Sequence, residues 1–121
     1  MSDKIVGVAI IGIGWWSSPT AKAIKDNPNY NLVTCYSRTA EKRRAFAEQY
    51  ECGNAESYEN VLNNTEVDAV VLTTPNSVHG EQILQAIGAG KHIFVEKPIT
   101  NTIPEAKQVV DAYKNSGLTL M

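Results

Sequence analysis

The chain has 121 residues, of which 43% are hydrophobic and 20% charged, with a formal net charge of -2 and a pI near 5.6. That length suits one domain with a real core, and the composition excludes a disordered or fibrous chain. There is no basic footprint for nucleic acid, no apolar run of membrane-spanning length, and no secretory leader in Met1-Ser2-Asp3-Lys4, so the expectation is a cytoplasmic protein with neither nucleic acid nor membrane as partner.

Ile5 to Ile11 is a near-continuous apolar run rich in β-branched residues, the pattern of a strand buried on both faces of a parallel sheet. It breaks at Gly12-Ile13-Gly14 and turns into a helix running from about Trp15 to Asp26, with Ala21 and Ile24 facing inward and Asn27-Pro28-Asn29 as the stop. Asn31 to Ser37 reads as a second strand, and Thr39 is placed to cap the next helix, on which Phe46, Ala47 and Tyr50 pack on the sheet. A short third strand near Cys52 to Ala55 leads to Ser57, a helix cap, and to Tyr58, Val61 and Leu62 at helical spacing. Cys35 and Cys52 show neither CxxC nor Cys/His spacing and read as reduced, buried thiols, with no metal site.

Val67 to Thr73 is the next buried strand, followed by the turn Thr74-Pro75-Asn76-Ser77 and a helix from about Val78 to Ala89 that ends at Gly88 and Gly90. Lys91 to Val95 is a fifth strand, closed by Glu96-Lys97-Pro98. Thr102-Ile103-Pro104-Glu105 has the form of a capping box, and Ile103, Ala106, Val110 and Tyr113 mark the inward face of the helix it opens. Leu118 to Met121 reads as a sixth strand cut short. Strands and helices thus alternate, which predicts an α/β fold: a doubly wound parallel sheet of the Rossmann NAD(P)-binding kind, three layers deep, with strand order 3-2-1-4-5-6 and ligand at the carboxyl ends of the strands.

Those ends carry the unusual chemistry. In a glycine turn between strand and helix the first glycine permits the tight turn, the second lets a pyrophosphate approach the backbone, and the helix N-terminus faces the anion. Gly12, Ile13 and Gly14 are therefore candidate cofactor residues, while Ser17 stands where the third glycine of the fingerprint falls, so helix and strand are expected to approach less closely there. Trp15 and Trp16 sit where the turn opens; one is expected to pack inward and the other to cover the nicotinamide or a missing neighbour. After the second strand an NAD site places a carboxylate for the ribose 2′-hydroxyl, but this chain has Ser37-Arg38-Thr39, whose hydroxyls and guanidinium suit a 2′-phosphate. NADP is therefore favoured over NAD, the alternative being that Arg38 is a solvated loop arginine. Arg43 is taken as a surface residue, and the Lys97-Pro98 bond is a candidate for the cis form.

Gly12-Ile13-Gly14, the Thr74-Pro75-Asn76-Ser77-x-His79 turn, Ala89-Gly90-Lys91-His92 and Glu96-Lys97-Pro98 together resemble the N-terminal domain of the glucose-fructose oxidoreductase / inositol dehydrogenase / MocA family over essentially the whole chain. The resemblance implies that Thr73, Thr74, Pro75, Asn76 and His79 line the pyrophosphate and nicotinamide side, that Glu96 contacts the nicotinamide end, and that Lys97 reaches the nicotinamide ribose and the substrate hydroxyl as the catalytic residue. On the residues alone, His79 has an equal reading as a donor to a neighbouring loop and Lys97 as an exposed lysine. The resemblance further implies an NAD(P)-dependent dehydrogenase acting on a sugar, cyclitol or dihydrodiol and a substrate-binding second domain absent from this chain; without that domain's pocket, turnover by the chain alone is expected to be negligible, and the apolar patch left by the lost contacts is expected to favour a homo-oligomer. A non-catalytic NAD(P)-sensing regulator on the same fold is the alternative.

Overall fold

The computed structural model describes residues 4–121. Its strands are β1 (Val6–Ile11), β2 (Tyr30–Tyr36), β3 (Gly53–Asn54), β4 (Ala69–Leu72) and β5 (His92–Val95), and its helices are α1 (Ser17–Asp26), α2 (Ala40–Tyr50), α3 (Tyr58–Leu62), α4 (His79–Gly88) and α5 (Ile103–Tyr113), with a 3-10 turn at Asn76–Val78. The five strands are all parallel in the order β3-β2-β1-β4-β5. The order therefore reverses between β1 and β4, the point where such sheets open a crevice beyond their carboxyl ends.

The expected sixth strand shrinks to one parallel bridge between Leu120 and Ile93. The position is nonetheless the one predicted, because Met121 N donates to Ile93 O and Val95 N donates to Met121 O, each at 2.9 Å, along the free edge of β5.

Alternation along β1 divides the core. Ala9 and Ile11 join Val70, Leu72 and Ile93 of the neighbouring strands against Val61, Ile83, Ala86 and Val109 of α3, α4 and α5. Val8 and Ile10 join Leu32, Cys35 and Val71 against Ala21 and Ile24 of α1 and Phe46 and Ala47 of α2. The central strands β1 and β4 are thus buried on both sides, as their apolar composition demanded, while β3 at the edge is exposed. On α5 the buried residue is Val109, with Ala106 and Tyr113 half-buried, whereas Ile103 and Val110 face outward. The inward stripe is rotated by about one residue from the expected one, because Val109 fills the gap over Ile83 and Ile93.

The capping residues behave unequally. Ser57 Oγ accepts from Asn60 N at 3.0 Å and Thr102 Oγ1 from Glu105 N at 3.3 Å, so α3 and α5 are closed by side chains. Thr39 occupies the N-cap position of α2 but makes no cap hydrogen bond with its side chain. Its N–H instead donates to Ser37 Oγ at 3.3 Å. At the opposite end of the sheet, Asp68 Oδ2 accepts from Gly7 N at 2.8 Å while Oδ1 meets Lys4 Nζ at 3.2 Å. The Gly7 hydrogen bond and then Lys4 hold this carboxyl below its ordinary range. Buried Lys91 donates to Val67 O at 2.6 Å and Asn64 O at 3.1 Å, tying down the loop that enters β4.

Candidate functional site

An open cleft of about 530 Å³ lies at the carboxyl ends of β1, β2 and β4. Its floor is the glycine turn. Gly12 has φ +87°, and a Cβ there would meet Thr74 Cγ2 at 2.7 Å and Thr73 O at 2.9 Å, so only glycine fits. Thr73 locks the turn from the β4 side, its Oγ1 lying 2.6 Å from Gly12 O and 3.1 Å from Ile11 O. From the β2 side, Gly12 N donates to Tyr36 O at 2.8 Å. At Gly14 the opposite holds: a Cβ would have no atom within 4 Å. The turn is thus held from below and bare above, the shape that lets an anion reach the backbone.

Ser17 turns out to serve the turn rather than loosen it. It is fully buried, and both its N–H (3.2 Å) and its Oγ (2.6 Å) donate to Gly14 O. A third glycine would lack the hydroxyl that makes the second bond. Behind the turn, α1 begins without a side-chain cap and with no acidic residue in its first turn. Of the N–H groups in its first turn, that of Ser17 goes to Gly14 O and that of Thr20 to Trp16 O, and Pro19 has none, which leaves the Ser18 N–H to solvent or to an anion. Trp15 and Trp16 are both exposed, at 76% and 53%, and meet edge to face with ring centroids 4.4 Å apart. The expectation that one packs inward is not met: Ala21 and Ile24 already fill the space under α1.

The β2 side carries the charge. Ser37, Arg38 and Thr39 line the cleft with Tyr36, and Lys42 joins them from the first turn of α2. Arg38 and Lys42 are exposed, and no Asp or Glu lines the cleft among the described residues. Arg43 points away, its Nη1 donating to Ser37 O at 3.4 Å and its Nε buried without a partner. It braces the loop from behind instead of facing solvent. Below it, Cys35 is buried and Cys52 half-buried, both as free thiols. Cys35 Sγ donates to Arg43 O at 3.5 Å, and the proximity of the two thiols pushes the Cys35 pKa up and the Cys52 pKa down.

On the β4 side, Thr73, Thr74 and Pro75 line the cleft, and Thr74 Oγ1 donates to Gln82 Oε1 at 2.6 Å. Asn76 is exposed outside the lining, and Ser77, Val78 and Gln82 take its place. His79 is fully buried, its Nδ1 2.8 Å from Pro98 O and its Nε2 2.9 Å from Thr74 O. It therefore offers a cofactor no surface; of its two sequence readings the geometry shows the tie to neighbouring loops. Glu96 is half-buried with its N–H on Leu72 O at 3.2 Å, Lys97 is exposed, and the Lys97-Pro98 peptide is cis. Neither Glu96 nor Lys97 lines the cleft itself; both stand at the end of β5, next to β4.

Sequence reasoning passed over Tyr36, Lys42, Ser77, Val78 and Gln82. Lys42 had a readable signal, since it stands in the first turn of the helix that directly follows the Ser37-Arg38-Thr39 loop. A second hollow of about 280 Å³ between α4 and α5 bears Glu81 and Glu105, which would repel a phosphate.

A five-stranded parallel sheet with a glycine turn, an uncapped helix N-terminus and an acid-free cleft at its switch point defines a dinucleotide-binding Rossmann domain. Residues 6–121 match the model of the oxidoreductase family with an NAD-binding Rossmann fold, and the chain belongs to that family, the Gfo/Idh/MocA oxidoreductases. It is 30% identical over 118 residues to the scyllo-inositol 2-dehydrogenase (NADP(+)) IolU of Bacillus subtilis, covering 97% of this chain and 36% of that protein. Among solved structures it is similar to KijD10, a 3-ketoreductase from Actinomadura kijaniata in complex with NADP and TDP-benzene (TM-score 0.90, 30% identity, 96% of this chain and 36% of that one). It is also similar to biliverdin reductase from Synechocystis in complex with biliverdin and NADP+ (TM-score 0.92, 26% identity, 97% of this chain and 37% of that one). The chain spans about a third of the length of the curated relatives it matches. Among the described residues no helix is long and apolar enough to cross a membrane.

Proposed function

We propose that this chain is the NADP(H)-binding domain of an oxidoreductase that moves hydride between the nicotinamide and a hydroxyl or keto carbon of a sugar, cyclitol or dihydrodiol. The observation that carries the reading is the cleft's charge: Arg38 and Lys42 are its only charged lining groups among the described residues, and they stand beside the Ser37 and Thr39 hydroxyls. A ribose 2′-phosphate there meets cations and donors, with no carboxylate to repel it. The two structural relatives described above are NADP complexes, which supports the same choice. Their names, and that of IolU, are enzyme names, so nothing favours the regulatory alternative.

NADP, when bound, supplies the hydride donor or acceptor at its nicotinamide. The chain's own residues bind and orient it. The bare backbone at Gly14 and the Ser18 N–H at the start of α1 would hold the pyrophosphate, Thr73 keeps the turn rigid beneath it, and Arg38, Lys42, Ser37 and Thr39 would hold the adenosine phosphate. Thr74 and Pro75 form the wall toward the nicotinamide, with Glu96 and Lys97 beyond it at the end of β5. Lys97 Nζ would hold the alkoxide charge that develops on the substrate oxygen and pass its proton. Substrate selection belongs to a second domain, and the reading carries with it a cytoplasmic homo-oligomer. Backbone NMR of the chain titrated with NADP+ tests the assignment. Shifts should concentrate at Gly12 to Ser17, Ser37 to Lys42 and Thr73 to Val78; shifts confined to other segments would refute it.

A further inference from the structure

The Thr74 and Pro98 carbonyls belong to different loops, after β4 and after β5, and a single buried ring spans them. His79 is the first residue of α4, so its backbone is fixed by the helix while its imidazole fills the space between the two loops with no exposed surface. A neutral imidazole has one N–H and one lone pair, whereas both neighbours are carbonyl oxygens, so the ring donates to one carbonyl at a time and holds the other by packing. The segment after Pro98 closes on the same spot: a methyl at Gly80 would meet Glu105 Oε2 at 2.8 Å and Thr100 Cγ2 at 3.5 Å. One of the tied loops carries Thr74, which faces the cleft and is steadied by Gln82. The other carries Lys97, one residue before the carbonyl that His79 holds.

We propose that His79 is a positioning residue: wedged between Thr74 O and Pro98 O inside the protein, donating to one and packing against the other, it sets where Lys97 and the nicotinamide wall stand relative to the glycine turn. This rests on the reading of the cleft as an NADP(H) site. The adenosine end, at Ser37 to Lys42 on β2 and α2, lies on other elements and is built without His79. Loss of the ring therefore harms one half of the cofactor site and spares the other. A residue needed only for stability would weaken both halves together.

The test compares two probes on the 121-residue chain, NADPH and 2′,5′-ADP, the latter carrying only the adenosine end. In His79→Phe, and in His79→Gln as the milder variant, 2′,5′-ADP affinity should stay within about twofold while NADPH loses roughly tenfold, the loss of a buried hydrogen-bonded tie. Gln, which retains an N–H, should recover part of the loss. Equal losses for both probes, or no loss for either, overturn the proposal. If both variants fail to fold, the wild-type chain still decides it: the His79 ring resonances should move on adding NADPH and stay fixed on adding 2′,5′-ADP, and a ring indifferent to both overturns it. A wild-type chain that binds neither probe overturns the cofactor reading and the role of His79 with it.

Discussion

Gly12 and Gly14 lie two residues apart, yet the structure predicts opposite consequences for the same substitution. At Gly12 an alanine must adopt φ near +87° and place its methyl 2.7 Å from Thr74 Cγ2 and 2.9 Å from Thr73 O. The left-handed backbone costs an L-residue about 1–2 kcal/mol, and forcing a methyl into a turn pinned by Thr73 adds about 1–3 kcal/mol. Against that, alanine stiffens the unfolded chain by about 0.4–1 kcal/mol. Gly12→Ala should thus lose roughly 1–4.5 kcal/mol, which for a domain of this size lowers Tm by about 4–18 °C. At Gly14 nothing lies within 4 Å of the added methyl, and its φ is not positive. Gly14→Ala should leave stability within about 0.5 kcal/mol of wild type. The methyl would instead fill the space a pyrophosphate needs, and a tenfold fall in NADPH affinity corresponds to about 1.4 kcal/mol. Urea or thermal unfolding gives the first quantity and fluorescence titration through Trp15 and Trp16 the second. A Gly12→Ala variant as stable as wild type would refute the steric argument, and a Gly14→Ala variant that binds NADPH like wild type would refute the path of the pyrophosphate over the turn.

Three further outcomes follow from groups outside the cleft. Asp68 is held below the ordinary carboxylate range in the folded state, so its contribution is present above the unfolded pKa and lost as pH falls through the lower, folded one. Unfolding between about pH 5 and 2 should show that loss, of about 1–2 kcal/mol for a partly exposed charged hydrogen bond, and Asp68→Asn should flatten it; an unchanged profile would contradict it. Cys52, half-buried and with its pKa lowered by the neighbouring Cys35, should react with iodoacetamide before the buried Cys35 does, as peptide mass mapping would show. Thr102→Ala should lower stability by about 1 kcal/mol through loss of the α5 cap, read from the urea midpoint.

The architecture was legible because its signals are local. β1 is apolar on both faces, Ser57 and Thr102 cap as their spacing suggests, and the alternation of strands and helices leaves few topologies. What escaped depended on contacts between distant segments. Ser17 read as a flaw in a glycine motif, yet its hydroxyl closes the turn onto Gly14 O. His79 read as a cofactor residue by resemblance, but Pro98, 19 residues away, draws its ring inward. Arg43 and Lys42 are neighbours in sequence and differ in which side of α2 they occupy, so Arg43, which read as a surface residue, is a half-buried brace while Lys42, which carried no reading, lines the cleft. Trp15 and Trp16 were judged by hydrophobicity, while the volume under α1 was already filled by smaller residues. The rotation of the α5 stripe toward Val109 was likewise set by what the sheet left open.

The central claim is that this cleft takes a dinucleotide by its 2′-phosphate, and calorimetric titration of the chain with NADPH and with NADH tests it most directly. NADPH should bind at least about tenfold more tightly than NADH, the preference should shrink in Arg38→Ala and further in the Arg38→Ala/Lys42→Ala pair, and it should weaken as salt rises. Equal affinity for the two cofactors, or a preference that survives loss of both cations, would contradict it.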